Sequence, residues 1–562
     1  MTVPKSEAAE KSSAPTPITV AQRAPDRHLT ARRLLIAAAA VLAVALLFLA
    51  YLRVSRTYPE NSDESNDLLM AWDMLHGNVL LHGWYLSDVS FITTELPQYT
   101  LLVALFGLHT DTAHIAAAMT YTLVVILAVL LARGSGRQVP RDEGRARMLL
   151  TAALVFAPQL GVAVFVLLLS LGHIGTAVPL LLTWLVLDRC PPRWYTVAAV
   201  GLLLTWVLIA DPLALLAGVA PLVAVCALRA AREARRQGGG IGAVLRANWY
   251  ELALAVAAIA AQGLASLAGR VLQAYLHPVP YQLAPLGTWP KHAYVTAKGL
   301  LALFGAKPQG PPAALAFSLL HLAGVALVAW ALWRVARHFW SWPDMISQIL
   351  LLAMVVNVAA YVPSTLANAT DLNAREFAIV LPYGAVLAGR TLAAGLLAAR
   401  RPAPSAGQGR PAPLAGRAGV AIGAIVLAGY AASLGWAAAQ PAVPAMNARL
   451  VTFLQAHHLT SGIGGYWESS AVTVGSDGAV TIRAVLPGTL APDLWEAKAS
   501  WYDPGSRQAN FLVTSKTPGF FHHWQPDQAA LRALGRPART YHTGPYTVYV
   551  YDKNLLAELP RS

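Results

Sequence analysis

Apolar residues in this chain fall in blocks near 20 long, the length that crosses a bilayer core of about 30 Å as a helix. The first runs from Leu34 to Leu52 behind Arg32 and Arg33. Others cover roughly residues 111–132, 148–169, 173–188, 195–210, 212–229, 249–270, 313–333, 345–363, 376–397 and 419–438. The pattern predicts an α-helical polytopic membrane protein with about 11 transmembrane helices. Pro158, Gly161, Gly172 and Gly175 interrupt the 148–188 stretch and could divide it into shorter or re-entrant pieces. Two spans are preferred there, because that parity keeps the flanking arginine loops on one side. The first block is long and runs into Arg53-Val54-Ser55-Arg56 without small residues at a cleavage position, so it reads as a retained helix rather than a signal peptide.

Residues 440–562 change character. Ala479 to Val485, Asn510 to Thr514 and Tyr546 to Tyr551 alternate with period two and are separated by Gly, Pro and Asp, the pattern of strands and turns. Helical segments are predicted at 444–458 and 527–534. The chain thus divides into a disordered cytoplasmic tail (1–30), a multi-helix transmembrane domain (31–439) with an outside loop at 53–110, and a small C-terminal extracytoplasmic α/β domain (440–562).

Composition agrees. Of 562 residues, 56% are hydrophobic and 12% charged, against about a quarter charged in water-soluble proteins, which excludes a soluble globule. The formal charge of +14 comes from arginines in short loops: Arg133 to Arg147, Arg189 and Arg193, Arg229 to Arg246, Arg334 and Arg337, Arg400 to Arg417. All fall on the side of the N-terminus when spans are counted from an inside start, as the positive-inside rule requires. That explains the charge without a nucleic-acid partner and sets the N-terminus in the cytoplasm, while high Ala, Arg and Gly usage and the absence of extracellular disulfides point to a bacterial plasma (inner) membrane. The two cysteines, Cys190 and Cys226, form neither a disulfide framework nor a zinc cluster.

Candidate chemistry gathers just after the first helix, in Tyr58-Pro59-Glu60-Asn61-Ser62-Asp63-Glu64-Ser65-Asn66-Asp67. Ser62 can cap a helix starting at Asp63, which would set the acids in its first turn, where the helix dipole favours them with no catalytic role at all. Alternatively, one of these carboxylates takes a proton from an acceptor hydroxyl as general base.

The order of features resembles the GT-C glycosyltransferases: a first helix, a large loop opening on an Asp/Glu pair, an amphipathic helix to His76-Gly77-Asn78, a short helix Thr94-Glu95-Leu96-Pro97-Gln98-Tyr99-Thr100-Leu101-Leu102, then a membrane helix. Within that superfamily the likeness is to the protein O-mannosyltransferase and aminoarabinose transferase group. The resemblance implies a sugar carried on a polyprenyl phosphate and transferred by inverting displacement to an extracytoplasmic glycan, lipid or protein. Asp63 would be the base, with Glu64 its neighbour or alternative. The chain lacks an obvious Arg-Tyr pair after the later helices, so the donor phosphate must find another cation. Arg375 at the mouth of a membrane helix is the first candidate; Lys291 and Lys298, on an expected interfacial helix after Pro290, are the others. Ion pairing with Asp371 or Glu376, and lysines snorkelling to headgroups, are the alternatives. No metal ligand set is evident, though a divalent cation is possible, with Asp88 and Glu95 as further outside acids.

Asp211-Pro212 reads as a turn, and His173 and His321 as isolated packing residues. Tyr466, Trp467, Trp495, Trp501, Tyr502, Phe520, Phe521 and Trp524 could stack on sugars or simply build a core. Gly462-Ile463-Gly464-Gly465 lacks a recognisable strand before it or phosphate-binding helix after it, so it carries no nucleotide signal. Two other classes compete with the transferase: a transporter or flippase of lipid-linked intermediates, and a non-catalytic assembly protein displaying its terminal domain.

Overall fold

A computed structural model describes residues 2, 27–135, 139–169, 173–237, 241–277, 281–367, 371–398, 414–516 and 523–560. Most of the predicted tail, Gly172, Arg137, Arg400, Arg401, Arg410, Phe520 and Phe521 lie outside these residues. Helix α1 (Arg27–Ser55) starts within the stretch assigned to the tail. The first loop holds α2 (Ser62–Leu75), β1 (Trp84–Leu86) and α3 (Glu95–Phe106). Then follow α4 (Thr110–Arg133), α5 (Arg141–Val155), α6 (Val162–Leu168), α7 (Ala177–Arg189), α8 (Trp194–Ala210), a π-helical turn Leu215–Val219, α9 (Ala220–Gln237), α10 (Ile241–Ala247) and α11 (Trp249–Gly269). After β2 (Tyr275–Leu276) come α12 (Trp289–Leu303), α13 (Pro312–Arg337), α14 (Met345–Tyr361), a 3-10 segment Asp371–Phe377, α15 (Val380–Ala398) and α16 (Leu414–Ala438).

Among the described residues six helices are long and apolar enough to cross a membrane: Arg33–Ser55, Thr110–Arg133, Leu215–Arg236, Trp249–Gly269, Pro312–Arg337 and Asn373–Gly395. Trp194–Ala210, Met345–Tyr361 and Val426–Ala438 are shorter apolar helices. The architecture is that of a multi-pass membrane protein. One predicted span fails as a continuous helix. The 148–169 stretch is cut between Val155 and Val162, where Pro158 has no N–H to extend a helix and Gly161 takes φ of +88°.

Arg390 of α15 ties the bundle together. Its guanidinium donates to Asp344 before α14 (2.8 Å), to Asp188 of α7 (2.7 Å) and to the Leu131 carbonyl of α4 (2.7 Å). Three elements therefore share one buried cation, whose removal would strand two carboxylates.

The terminal region contains α17 (Ala448–Ala456), β3 (Ser461–Gly464), α18 (Tyr466–Gly475), β4 (Thr481–Ala484), β5 (Ala497–Lys498), β6 (Phe511–Lys516), β7 (His523–Trp524), α19 (Gln528–Ala533), β8 (Arg539–Thr543) and β9 (Tyr546–Val550). Six strands form one sheet, ordered β4-β3-β6-β9-β8 with β7 against β6. The sheet is parallel around β3 and antiparallel through the β8–β9 hairpin. Both faces are covered, one by a cluster including Leu450, Leu454, Val472, Phe511 and Val548, the other by Ile463, Leu512, Trp524 and Leu555. Residues 461–464 are thus a strand feeding a helix, contrary to the sequence expectation. The helix start offers no room for a phosphate, however, since Trp524 and the Glu468 carboxylate crowd Gly465.

A second, three-stranded sheet, ordered β2-β1-β5, joins distant parts of the chain. Tyr85 pairs with Tyr275 on one side and Ala497 on the other. This sheet fixes the terminal domain against the first loop.

Candidate functional site

Asn61, not Ser62, caps α2. Its side chain accepts the Asp63 N–H at 2.7 Å while the Glu64 carboxylate accepts the Asn61 N–H at 2.8 Å, a reciprocal capping box. The box separates the two acids that stand together in the sequence. Glu64 turns inward and is fully buried; burial, reinforced by the Asp63 charge, holds its carboxyl well above the usual range. Asp63 turns the other way, into a polar cavity of about 80 Å³ lined also by Asp67, Ser87, Asp88, Val89, Phe91, His173, Arg375, Glu376, Trp495 and Glu496. Its side chain is 20% exposed.

The terminal domain completes this cavity. The Tyr466 hydroxyl, at the start of α18, lies 2.8 Å from Asp63 Oδ1 and 2.6 Å from Glu496 Oε2, and accepts from Asn66 Nδ2 at 3.0 Å. Asn66 also donates to Glu496 Oε2 at 3.2 Å. Tyr466 is anchored through its carbonyl, which takes the Ser62 hydroxyl at 2.6 Å. Glu496 adopts φ of +51°, a left-handed conformation that costs a non-glycine residue about 1 kcal/mol. It is held there because β5, immediately after it, is locked onto β1 in the register Trp84↔Lys498, while Lys498 pairs with Asp73 of α2 at 2.8 Å.

Arg375 Nη1 stands 3.5 Å from Asp63 Oδ2 and its Nε 3.6 Å from Glu376 Oε1, so the Glu376 pair weighed against phosphate binding does form. The Arg375 side chain remains 40% exposed, and two carboxylate contacts do not use up the five guanidinium N–H groups. From Glu376 the network continues to His173 Nε2 (3.3 Å), then from His173 Nδ1 to Asp211 Oδ2 (2.7 Å), which also takes the Thr176 hydroxyl. His173 is therefore not isolated, in contrast to the sequence expectation. Asp211 does form the expected turn, accepting Leu213 N–H at 2.8 Å. His321 is hydrogen-bonded to the Phe304 carbonyl at 2.8 Å.

Lys291 and Lys298 lie on exposed positions of α12, and neither is among the residues lining the cavity. Lys298 instead sits over the Tyr294 ring at 5.7 Å. The structure thus brings Asp63 and Arg375 together and leaves Glu64 and both lysines apart from them. Asp88 joins the cavity, whereas Glu95 is buried against Gly175 in a separate space of about 20 Å³. Among the described residues no group of three or more His, Cys, Asp or Glu is arranged to hold a metal ion.

Crowding of acids sets the electrostatics. Burial, then the Asp63 charge, pushes the Glu496 carboxyl up to about 7, partly opposed by the Tyr466 and Asn66 hydrogen bonds. Burial, then Glu496 and Glu95, holds Asp67 well above the carboxylate range. Burial and mutual repulsion thus favour the uncharged forms of the acids around Asp63 over what the same groups would show in water.

Beside this cavity lies an apolar one of about 660 Å³, lined by Met74, Leu80, Ile92, Pro97, Thr100, Ile209 and Leu272 among others. The segment 88–93 contributes to both walls.

Tyr466, Glu496, Asn66 and His173 were missed as site residues. Tyr466 and Glu496 lie about 400 positions from Asp63 (403 for Tyr466), and nothing local marks them. The one available signal was Tyr466 following Gly464-Gly465 at a strand-to-helix turn, a place where side chains are presented at a sheet edge.

No protein-family model matches the sequence, and none of the curated proteins does. Solved structures do match. The crystal structure of ArnT from Cupriavidus metallidurans bound to undecaprenyl phosphate aligns with TM-score 0.50 at 13% identity, covering 93% of this chain and 99% of that one. Its apo form aligns equally, with 95% and 100% covered. At this identity the likeness speaks for the fold. The fold of this chain is that of these ArnT structures.

Proposed function

We propose that this protein transfers a sugar from a polyprenyl-phosphate donor to an extracytoplasmic acceptor, with Asp63 as general base and Arg375 holding the donor phosphate. The observation that carries this reading is the meeting of Asp63 and Arg375, 312 positions apart and 3.5 Å from one another, at a polar cavity beside an apolar one. An acceptor hydroxyl over Asp63 gives its proton to the carboxylate while its oxygen forms a bond to the anomeric carbon. The bond from that carbon to the phosphate oxygen breaks, and the electron pair leaves on the phosphate. Arg375, already paired to Asp63 and Glu376, has exposed N–H groups to receive that charge. The apolar cavity offers volume for a lipid portion of donor or acceptor. ArnT bound to undecaprenyl phosphate has the same fold, which supports a polyprenyl donor here. The capping box, which occupies the Glu64 carboxylate with the Asn61 N–H, supports Asp63 over Glu64 as the base.

The test is sugar transfer by the purified full chain in lipid vesicles, supplied with radiolabelled polyprenyl-phosphate pentose or hexose. Asp63→Asn should lower transfer by about 10²–10⁴ while retaining donor binding. Equal transfer by Asp63→Asn and wild type would overturn the assignment. So would a folded wild type that binds no polyprenyl phosphate.

A further inference from the structure

A phenol has one proton, yet the Tyr466 oxygen stands within hydrogen-bond distance of two carboxylates, at 2.8 Å from Asp63 and 2.6 Å from Glu496. With both acids ionised, one of these contacts is oxygen against oxygen with no hydrogen between. All contacts are satisfied when a single extra proton resides on Glu496. Glu496 then donates to the Tyr466 oxygen, and Tyr466 donates to Asp63. Asn66 supports this arrangement by donating to both Tyr466 and Glu496.

We propose that Tyr466 is a positioning residue for Asp63 and that Glu496, by holding or releasing one proton, sets which way the Tyr466 hydroxyl points. This rests on the reading of Asp63 as base. With Glu496 protonated, the hydroxyl is delivered to Asp63 Oδ1, which fixes the carboxylate rotamer and leaves Oδ2, beside Arg375, to meet the acceptor. When Glu496 loses its proton to water in the cavity, the hydroxyl turns to the new anion. Asp63 then loses its orienting hydrogen bond and faces a second negative charge.

Independent geometry points the same way. Glu496 keeps a strained left-handed backbone directly before a strand clamped to the first loop. Such strain persists where the surroundings over-determine it, and it gathers at functional positions. The charged and titratable groups around Glu496 are Asp63 and Asp67 of α2, Asp88 after β1, Tyr466 of α18, and Arg375, Glu376 and His173 across the cavity. Arg375 is the cation nearest Asp63, held at Oδ2 rather than Oδ1.

The experiment uses the full chain with two readouts. Infrared difference spectroscopy across neutral pH should show a protonated-carboxyl band that disappears with a midpoint of about 7. Glu496→Gln should remove one component of that band, leaving the contribution of Glu468, and Tyr466→Phe should shift that same component. In the transfer assay, kcat should fall as pH rises through that midpoint, the fall should be flattened in Glu496→Gln, and Tyr466→Phe should lower kcat about 10-fold with little change in donor KM. If the band titrates as described but no variant or wild type transfers sugar, the coupling stands and the reading of Asp63 fails. If Asp63→Asn abolishes transfer while Tyr466→Phe keeps both the wild-type kcat and pH limb, or if Glu496→Gln leaves the band undiminished, the coupling is overturned and the base stands.

Discussion

Lys498 donates to both oxygens of Asp73, at 3.0 and 2.8 Å, across 425 residues of sequence. The Trp84 indole donates to the same carboxylate at 2.8 Å, and Trp84 packs edge-on against Trp501 at 5.0 Å. A single acid of α2 thus gathers the first-loop strand and the terminal domain, which is what keeps Glu496 and Tyr466 over Asp63.

Lys498→Ala should destabilise the full chain by about 1 kcal/mol, because the pair is about three-quarters buried and partly screened by water. Burial raises the Asp73 carboxyl, but the hydrogen bonds from Lys498, Trp84 and Asn78 outweigh it and leave it below its ordinary value. A depressed acid stabilises above its unfolded pKa and loses that contribution as pH falls through the folded one. Thermal melting should therefore show a drop in stability below about pH 4 that is smaller in Lys498→Ala.

Glu64 and Asp63 should separate cleanly in function. Glu64→Ala removes half of the capping box and should cost about 1 kcal/mol of stability, while Glu64→Gln, which keeps an acceptor for the Asn61 N–H, should melt close to wild type. Sugar transfer by Glu64→Gln should stay within about 3-fold of wild type, against the large loss expected for Asp63→Asn.

Arg375→Lys keeps the charge but loses the planar fork. It should raise donor KM by about 10-fold or more, with a smaller effect on melting, since the side chain is 40% exposed. Unchanged KM in a kinetic titration of donor would remove Arg375 from the phosphate site.

Buried Glu468 of α18 makes a stability test of opposite sign to Asp73. Burial pushes its carboxyl up to about 7, against smaller effects from backbone and Ser515 hydrogen bonds. The folded chain then binds a proton that the unfolded chain releases near pH 4.3, so stability should decline between about pH 4.3 and 7 and level off above. Glu468→Gln should flatten that decline and stabilise the protein at pH 8 by about 1–3 kcal/mol, measured by melting across pH.

Gly175 accommodates the Glu95 carboxylate: a Cβ there would lie 1.6 Å from Oε1. Gly175→Ala should cost about 2 kcal/mol or more, and adding Glu95→Ala should restore part of the loss. Simple additivity of the two in a double-mutant cycle would contradict the contact.

The apolar blocks made the membrane helices legible, and period-two runs located β4, β6 and β9 within a few residues. The break before α6 was signalled by Pro158 and Gly161 but set aside in favour of continuity. In the site, Asp63 stands out only through the resemblance carried by the first loop, and Arg375 because outside cations are scarce in such a chain. What escaped was pairing at a distance. Asn61 rather than Ser62 caps α2, which decided the fate of Glu64, and no local pattern reveals that Tyr85 pairs with Ala497 or that His173 faces both Asp211 and Glu376. Those contacts are set by tertiary packing, which single-residue propensities do not encode.

The three-stranded sheet also dictates a timetable. Its central strand β1 is made first, β2 well after it and β5 last of the three, so the sheet cannot close until the helices between them have been made and inserted. The carboxylate at position 63 therefore waits through the synthesis of all the intervening helices without its phenol and its acid neighbour, and a nascent chain stalled before residue 466 has neither of them.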